Sequence, residues 1–105
     1  MYTLCHINDI PEGGSKGFQA GELNLFGIKK DASVVLYINS CPHLGVPLEW
    51  MPDKFLDDEG CYIQCSTHGA LFSIENGQCV SGPCMHEFLE KMPFRIENGS
   101  IIIDL

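Results

Sequence analysis

Basic residues are scarce in this sequence, and their scarcity limits what the protein can bind. Six Lys and Arg stand against 14 Asp and Glu in 105 residues, which gives a formal net charge of −8 at pH 7. Nucleic acids and anionic membranes are bound mainly through clusters of Lys and Arg. We therefore expect neither nucleic acid nor membrane as a partner and favour a protein with a basic patch.

Targeting signals and long apolar runs are missing as well. Residues 1–9 contain no basic segment, no apolar stretch of signal-peptide length and no small-residue cleavage site. The apolar run at residues 101–103 is closed by Asp104 and is far shorter than the roughly 20 residues of a membrane-spanning helix. These absences predict a cytoplasmic protein.

Several motifs of substrate turnover are also absent. Outside the Cys/His pattern described below, the sequence has no 2-His-1-carboxylate set, no nucleotide-binding glycine loop and no nucleophile elbow. The chain therefore lacks the residues to bind and turn over a substrate alone. We expect it not to be an enzyme.

Convincing helical patterns are not found, whereas strand patterns recur. Residues 33–39 form an apolar run rich in β-branched and aromatic residues, and Asn-Gly pairs at residues 76–77 and 98–99 are typical of hairpin turns. Pro93 argues against a helix in the segment before it. Length and pattern together predict one all-β antiparallel domain over residues 1–105. The predicted strands are residues 2–7, 17–21, 22–29, 33–39, 61–64, 70–73, 88–96 and 100–105.

Six cysteines would suit a disulfide framework in a secreted protein, but the sequence has no secretory signal. Two of them belong to the Cys/His pattern below. The other four are expected to pack as ordinary buried thiols; they are Cys5, Cys61, Cys79 and Cys84. His6 lies in a predicted strand, and His86 has no matching second Cys/His segment downstream, so neither is predicted to be a ligand.

Two short Cys/His segments stand at the two ends of a long loop: Cys41-Pro-His43-Leu-Gly45 and Cys65-Ser-Thr-His68-Gly69. Each supplies one thiolate and one imidazole, followed by a glycine that lets the backbone approach a bound inorganic centre. Structural zinc sites usually pair like ligands along the chain. A binuclear iron–sulfur centre fits better, with two cysteines on one iron and two histidines on the other. A zinc-stabilised binding module is the alternative.

These segments resemble the paired boxes of the Rieske 2Fe-2S family, Cys-x-His-x-Gly and Cys-x2-His-Gly. The resemblance extends to Phe72, to the Asn-Gly turn after the second box and to the Gly82-Pro83 loop. It implies a Rieske-type antiparallel β-sandwich with a small cluster-binding subdomain formed by loops, at about residues 40–85. It also implies one 2Fe-2S cluster as the cofactor.

The resemblance further implies which residues hold the cluster. The two cysteines would hold one iron, and the two histidines would hold the other iron, nearer the surface. Pro83 would lie in the loop that covers the cluster. The expected ligands are Cys41, His43, Cys65 and His68. Backbone N–H groups that would donate to the cluster sulfurs and tune its potential are those of Leu44, Gly45, Gly69 and Ala70.

Departures from the high-potential members of the family predict a low potential. Those members have an extra cysteine in each box that forms a disulfide, where this chain has Val46 and Thr67. They also place a serine and a tyrosine after the second box, where this chain has Ala70 and Phe72. Hydroxyl donors stabilise the reduced, more negative cluster, so their loss lowers the potential. We expect about −150 mV rather than about +300 mV.

The resemblance is to small stand-alone Rieske ferredoxins, which pass single electrons from a flavoprotein reductase to an oxygenase or a related acceptor. It implies a monomeric carrier that docks its partners over His43 and His68. The alternative within the same fold is a small electron-transfer subunit of a nitrite-reductase-like complex.

Residues 44–61 lose any strand or helix period and mix prolines with acidic and aromatic residues. Irregular connections of this length usually serve a site, so a functional loop or lid is predicted. Trp50 either packs this loop onto the domain or is exposed to dock a partner.

Overall fold

The computed structural model describes residues 2–31, 33–40, 55–57, 59–65, 69–82 and 87–104, and the structural statements below concern these residues. They form nine strands and one short 3₁₀ helix, and no α-helix is found among them. The predicted all-β class is therefore confirmed. The strands are β1 Tyr2–His6, β2 Gly14–Ala20, β3 Leu23–Lys30, β4 Ser33–Ile38, β5 Tyr62–Gln64, β6 Leu71–Ser73, β7 Cys79–Ser81, β8 Arg95–Glu97 and β9 Ser100–Ile103.

The strands pair into three antiparallel sheets of three strands each. We call β1-β9-β8 the terminal sheet, β2-β3-β4 the central sheet and β5-β6-β7 the small sheet. The β8–β9 hairpin turns at Asn98 and Gly99, which both have positive φ, at 53° and 81°. A two-residue type I′ turn requires positive φ at both central positions, so the predicted Asn-Gly hairpin is confirmed.

The middle strand of the central sheet, β3, is buried on both faces, so this sheet contributes to two cores. On one face Leu25 packs in a cluster with Ile101 of the terminal sheet. On the opposite face Phe26 packs in a cluster with Phe72 of the small sheet. The Phe26 ring also stacks on Phe55, with ring centroids 4.4 Å apart. Because successive strand residues point to opposite faces, one strand serves both cores, and the central sheet fixes the small sheet in place.

The strand predicted at residues 88–96 is wrong over most of its length, because only Arg95–Glu97 forms a strand, β8. Pro93 has no N–H for a sheet ladder and is not part of a strand. The segment before it runs between two sheet edges instead. The Leu89 N–H donates to the Gly77 carbonyl at 2.8 Å, and the Met92 N–H donates to the Leu36 carbonyl at 3.0 Å.

The first strand ends at His6, because the chain turns there into a 3₁₀ helix, Ile7–Asp9. The His6 ring caps this helix: its Nδ1 accepts from the Asn8 N–H at 3.1 Å. His6 is exposed and lies in a strand, as the sequence predicts. Among the described residues, no helix has the length and apolar character needed to cross a membrane.

Candidate metal centre

Cys65 follows β5, where the chain enters the loop of the second box. Its side chain is buried, with a relative exposure of 1%. The Cys65 N–H donates to the Ala70 carbonyl at 2.8 Å, and the Cys65 carbonyl accepts from the Gly69 N–H at 3.0 Å. Gly69 has a φ of +67°, which residues with a side chain rarely adopt. The thiol therefore lies at the base of a tight hairpin loop whose backbone is held on both sides.

The chain approaches the second box at Gly82, directly after β7. A Cβ built on Gly82 would lie 2.9 Å from both Cα and Cβ of Ala70, and Gly82 has a φ of +110°. Glycine is required here for space and for backbone conformation. The structure thus brings the residue before Pro83 against the residue that follows the second box.

The residues present fit a thiolate-held inorganic centre at this end of the small sheet. Cys65 offers a soft donor of the kind that iron–sulfur clusters use, and its backbone is hydrogen-bonded to Gly69 and Ala70. The close approach of Gly82 to Ala70 leaves no side chain between the two loops at that point. The first box lies outside the described residues, so the convergence of the two boxes stays a prediction.

The other predicted ligands, Cys41, His43 and His68, lie outside the described residues. Within the part of the chain that the structure describes, no group of three or more His, Cys, Asp or Glu side chains is arranged to hold a metal ion. The complete ligand set is therefore a prediction that rests on the sequence. Also outside the described residues are Leu44, Gly45, Val46, Trp50, Thr67, Pro83, Cys84 and His86.

One predicted donor to the cluster sulfurs is corrected by the structure. The Gly69 N–H donates to the Cys65 carbonyl, so it stabilises the loop instead of pointing to a sulfur. The glycine itself could have indicated this turn, because glycine readily adopts the positive φ that a tight turn requires. The donor role of the Ala70 N–H stays a prediction.

The cysteines outside the boxes differ in their surroundings. Cys79 is buried, as predicted, and Cys5 is half-buried. Burial, and secondarily the charge of Asp9, raises the pKa of the Cys5 thiol to about 11. Cys61 is exposed, so its predicted burial is wrong. It precedes β5 in a turn held by the Asp57 carboxylate, whose Oδ1 accepts from the Cys61 N–H at 2.9 Å, and this turn leaves its side chain at the surface.

Tyr37 of β4 joins the small sheet to the central sheet, and sequence reasoning missed this role. Its buried hydroxyl donates to the Ile74 carbonyl at 2.6 Å. Burial, and then the charge of Glu75, raises the pKa of Tyr37 to about 12. The two partners are 37 positions apart, and no local pattern connects them. Only the buried, β-rich context of Tyr37 could have indicated that its hydroxyl needs a partner.

Comparisons with known proteins identify the family to which the chain belongs. The family model of the Rieske [2Fe-2S] domain matches residues 1–95. The ferredoxin component of an alkene monooxygenase system from Xanthobacter autotrophicus is 28% identical over 102 residues, which are 95% of this chain and 77% of that protein.

Solved structures show the same fold over nearly the whole chain. A ferredoxin of Sphingomonas yanoikuyae B1 has a TM-score of 0.80 at 26% identity, and the match covers 99% of this chain and 97% of that one. A chain in a complex of reduced oxygenase and oxidized ferredoxin in carbazole 1,9a-dioxygenase has a TM-score of 0.76 at 19% identity, covering 98% of this chain and 100% of that one. This last likeness shows the fold alone. The chain therefore belongs to the Rieske family, is homologous to Rieske ferredoxin components of oxygenase systems, and has a 2Fe-2S cluster as its cofactor.

Proposed function

We propose that this protein is a one-electron carrier whose 2Fe-2S cluster is held by Cys41 and Cys65 on one iron and by His43 and His68 on the other. The observation that carries this proposal is the position of Cys65, buried at the base of the β5–β6 loop with Gly82 closing over Ala70. The bound cluster supplies reversible one-electron redox chemistry.

The protein's own residues hold this chemistry in place and limit access to it. The hydrogen bonds between Cys65, Gly69 and Ala70 fix the thiolate that the cluster needs. The buried side chains of Ala70 and Phe72 line the core next to it and exclude water. All four ligand positions are filled by protein in this scheme, so no position is open for a substrate, and we propose that the protein is not an enzyme.

A low potential is part of the proposal. Ala70 and Phe72 are both buried beside the second box and carry no hydroxyl. Neither can donate a hydrogen bond that would stabilise the extra negative charge of the reduced state. The contributions of Val46 and Thr67 stay predictions from the sequence. We place the potential at the low end of the Rieske range, about −150 mV.

The proposed donor is a flavoprotein reductase, and the proposed acceptor is an oxygenase or a related enzyme. Homology to the ferredoxin component of an alkene monooxygenase system supports the oxygenase-type acceptor. The reductase rests on the family resemblance alone. We further propose a monomer in the cytoplasm, with residues 1–105 as one domain and residues 40–85 as its cluster-binding part. No observation on the described residues favours a nitrite-reductase-like subunit. The 2Fe-2S cofactor of the family argues against the zinc-stabilised binding module.

The test is stoichiometric reduction followed by transfer. The purified holoprotein should take up one electron per chain in an anaerobic titration and then reduce the oxygenase encoded nearest to its gene. A colourless protein with a single zinc would contradict the cluster. A cluster that is reduced normally but passes no electron to that oxygenase would contradict the proposed role while leaving the cofactor in place.

A further inference from the structure

Three strands lead into the loops of the proposed cluster site. β4 ends at Ile38, three positions before the first box begins at Cys41. β6 begins at Leu71, two positions after the second box, and β7 ends at Ser81, directly before Gly82. β6 and β7 pair with each other, but β4 belongs to the central sheet, so no strand ladder fixes its distance from the other two described strands. Other contacts must set this distance.

The Tyr37 side chain of β4 spans the gap between these strands. It is fully buried, and its hydroxyl donates to the Ile74 carbonyl, directly after β6, at 2.6 Å. Its ring lies against the turn between β6 and β7, since a Cβ built on Gly77 would lie 2.8 Å from Cε1 of Tyr37. One side chain of β4 therefore contacts both the end of β6 and the turn that leads into β7.

The backbone of β4 is joined to the same turn less directly, through residues 87–92. The Ile38 N–H donates to the Glu90 carbonyl at 2.8 Å. The Leu89 N–H donates to the Gly77 carbonyl at 2.8 Å. This connecting segment belongs to no strand, so its own position depends on the elements that it joins. The Tyr37 side chain makes the direct contact.

Packing alone does not require a tyrosine at this position. The ring, and not the hydroxyl, meets Gly77 and the Phe26 ring, whose centroid is 5.7 Å from that of Tyr37. A phenylalanine would make the same contacts. The hydroxyl adds a hydrogen bond, which restricts distance and angle, whereas apolar packing is non-directional. Burial raises the pKa of Tyr37 to about 12, so the hydroxyl keeps its proton and stays a donor at neutral pH.

We propose that Tyr37 is a positioning residue for the 2Fe-2S cluster, whose hydroxyl bond to Ile74 holds β4 and the β6–β7 hairpin at the distance that the ligand-bearing loops require. The inference rests on the proposed function, because it concerns the ligands named there. Without the hydroxyl the ring keeps its place, but β6 is free to shift against β4. The second box then opens more often, and the cluster becomes more accessible to water and to chelators.

The test compares two full-length holoproteins with similar losses of global stability. Tyr37→Phe removes the hydroxyl alone, and Ile101→Val removes one buried methylene from the core between the central and terminal sheets. Iron release to an excess of a ferrous-iron chelator should be about fivefold faster in Tyr37→Phe, because losing a buried hydrogen bond raises the open population by about that factor. Ile101→Val should release iron at the wild-type rate. Chemical denaturation checks that the stability losses match, and Ile103→Val replaces Ile101→Val if they differ.

Hydrogen exchange of the same proteins provides a readout without a chelator. The Cys65 and Gly69 N–H groups are hydrogen-bonded within the second box. Their exchange should be about fivefold faster in Tyr37→Phe and unchanged in Ile101→Val. Mass spectrometry on peptides that span residues 62–72 would measure it.

The possible results separate the positioning role from the carrier function. Equal iron release and equal exchange in the two variants would overturn the positioning role, while the cluster and the carrier function stand. Faster iron release without faster exchange in the second box would overturn it as well, since the opening would then lie elsewhere. A wild-type protein that contains zinc and no 2Fe-2S cluster would overturn the proposed function, and this inference with it.

Discussion

The central sheet and the small sheet pack against each other but are built for different purposes. The central strands have seven, eight and six residues, and the small strands have three each. The middle strand of the central sheet is buried on both faces, whereas the small sheet has one buried and one partly exposed face. Short three-residue ladders contribute few hydrogen bonds, so the small sheet depends on packing against its neighbour. The comparison separates the central sheet, a framework that stabilises the fold, from the small sheet, which positions the second box.

The largest expected effect tests this separation with two buried cysteines from one core. Cys65 and Cys79 both lie in the cluster of side chains between the two sheets, but only Cys65 belongs to a box. Cys65→Ala should abolish iron binding and visible absorbance, because a thiolate ligand is removed. Cys79→Ala should retain both and lose only some stability, about 1 kcal/mol for a small buried group.

Iron analysis, visible absorption and thermal unfolding of the two variants would check this expectation. A Cys65→Ala protein with wild-type iron content would show that Cys65 is a packing residue like Cys79. The small sheet would then not support a cluster ligand at Cys65.

A smaller effect is expected from restoring a hydroxyl beside the second box. Ala70→Ser should raise the potential by roughly 60 mV or more, because a new donor stabilises the reduced state by about tenfold in equilibrium terms. Ala20→Ser is the control, since Ala20 is equally buried but lies in β2 of the central sheet. It should lower stability through its buried hydroxyl and leave the potential unchanged.

Spectroelectrochemical titration of the two variants would measure the difference. Equal shifts of the reduction potential in both variants would mean that the potential responds to stability in general. The distinction between the central and small sheets would then fail at this site. A high potential in the wild type would contradict the argument from Ala70 and Phe72 directly.

The sequence was sufficient for most of the framework, because its signals are local. An apolar run rich in β-branched and aromatic residues predicted β4, and the Asn98-Gly99 pair predicted the last hairpin. The segment before Pro93 was misassigned, since its backbone bonds to the edges of β4 and β7 and to no strand of its own. Such pairing depends on tertiary position, which local patterns do not contain.

The second box could be recognised from its spacing, but the contacts that support Cys65 could not. The box around Cys65 could be found because its residue types and intervals are constrained by cluster chemistry. The Gly82–Ala70 approach and the Tyr37–Ile74 hydrogen bond join residues distant in sequence.

The smallest predicted effect concerns the bond that joins the two sheets. Tyr37→Phe should lower the free energy of unfolding at pH 7 by about 1 kcal/mol, because the Ile74 carbonyl loses its buried donor. Tyr62→Phe is the control, since Tyr62 is exposed; it should change stability little at pH 7. Chemical denaturation of both variants would measure the difference.

The pH dependence of the same variant gives a more specific test. Burial raises the pKa of Tyr37 from 10.0 to about 12, so the folded protein holds the phenolic proton more tightly than the unfolded chain does. The resulting stabilisation is fully present below pH 10 and is lost as pH rises through about 12. The wild type should therefore lose more stability than Tyr37→Phe between these values, and the gap between the two proteins should narrow. Parallel stability curves over this interval would contradict a buried, proton-donating Tyr37 as the link between the central and small sheets.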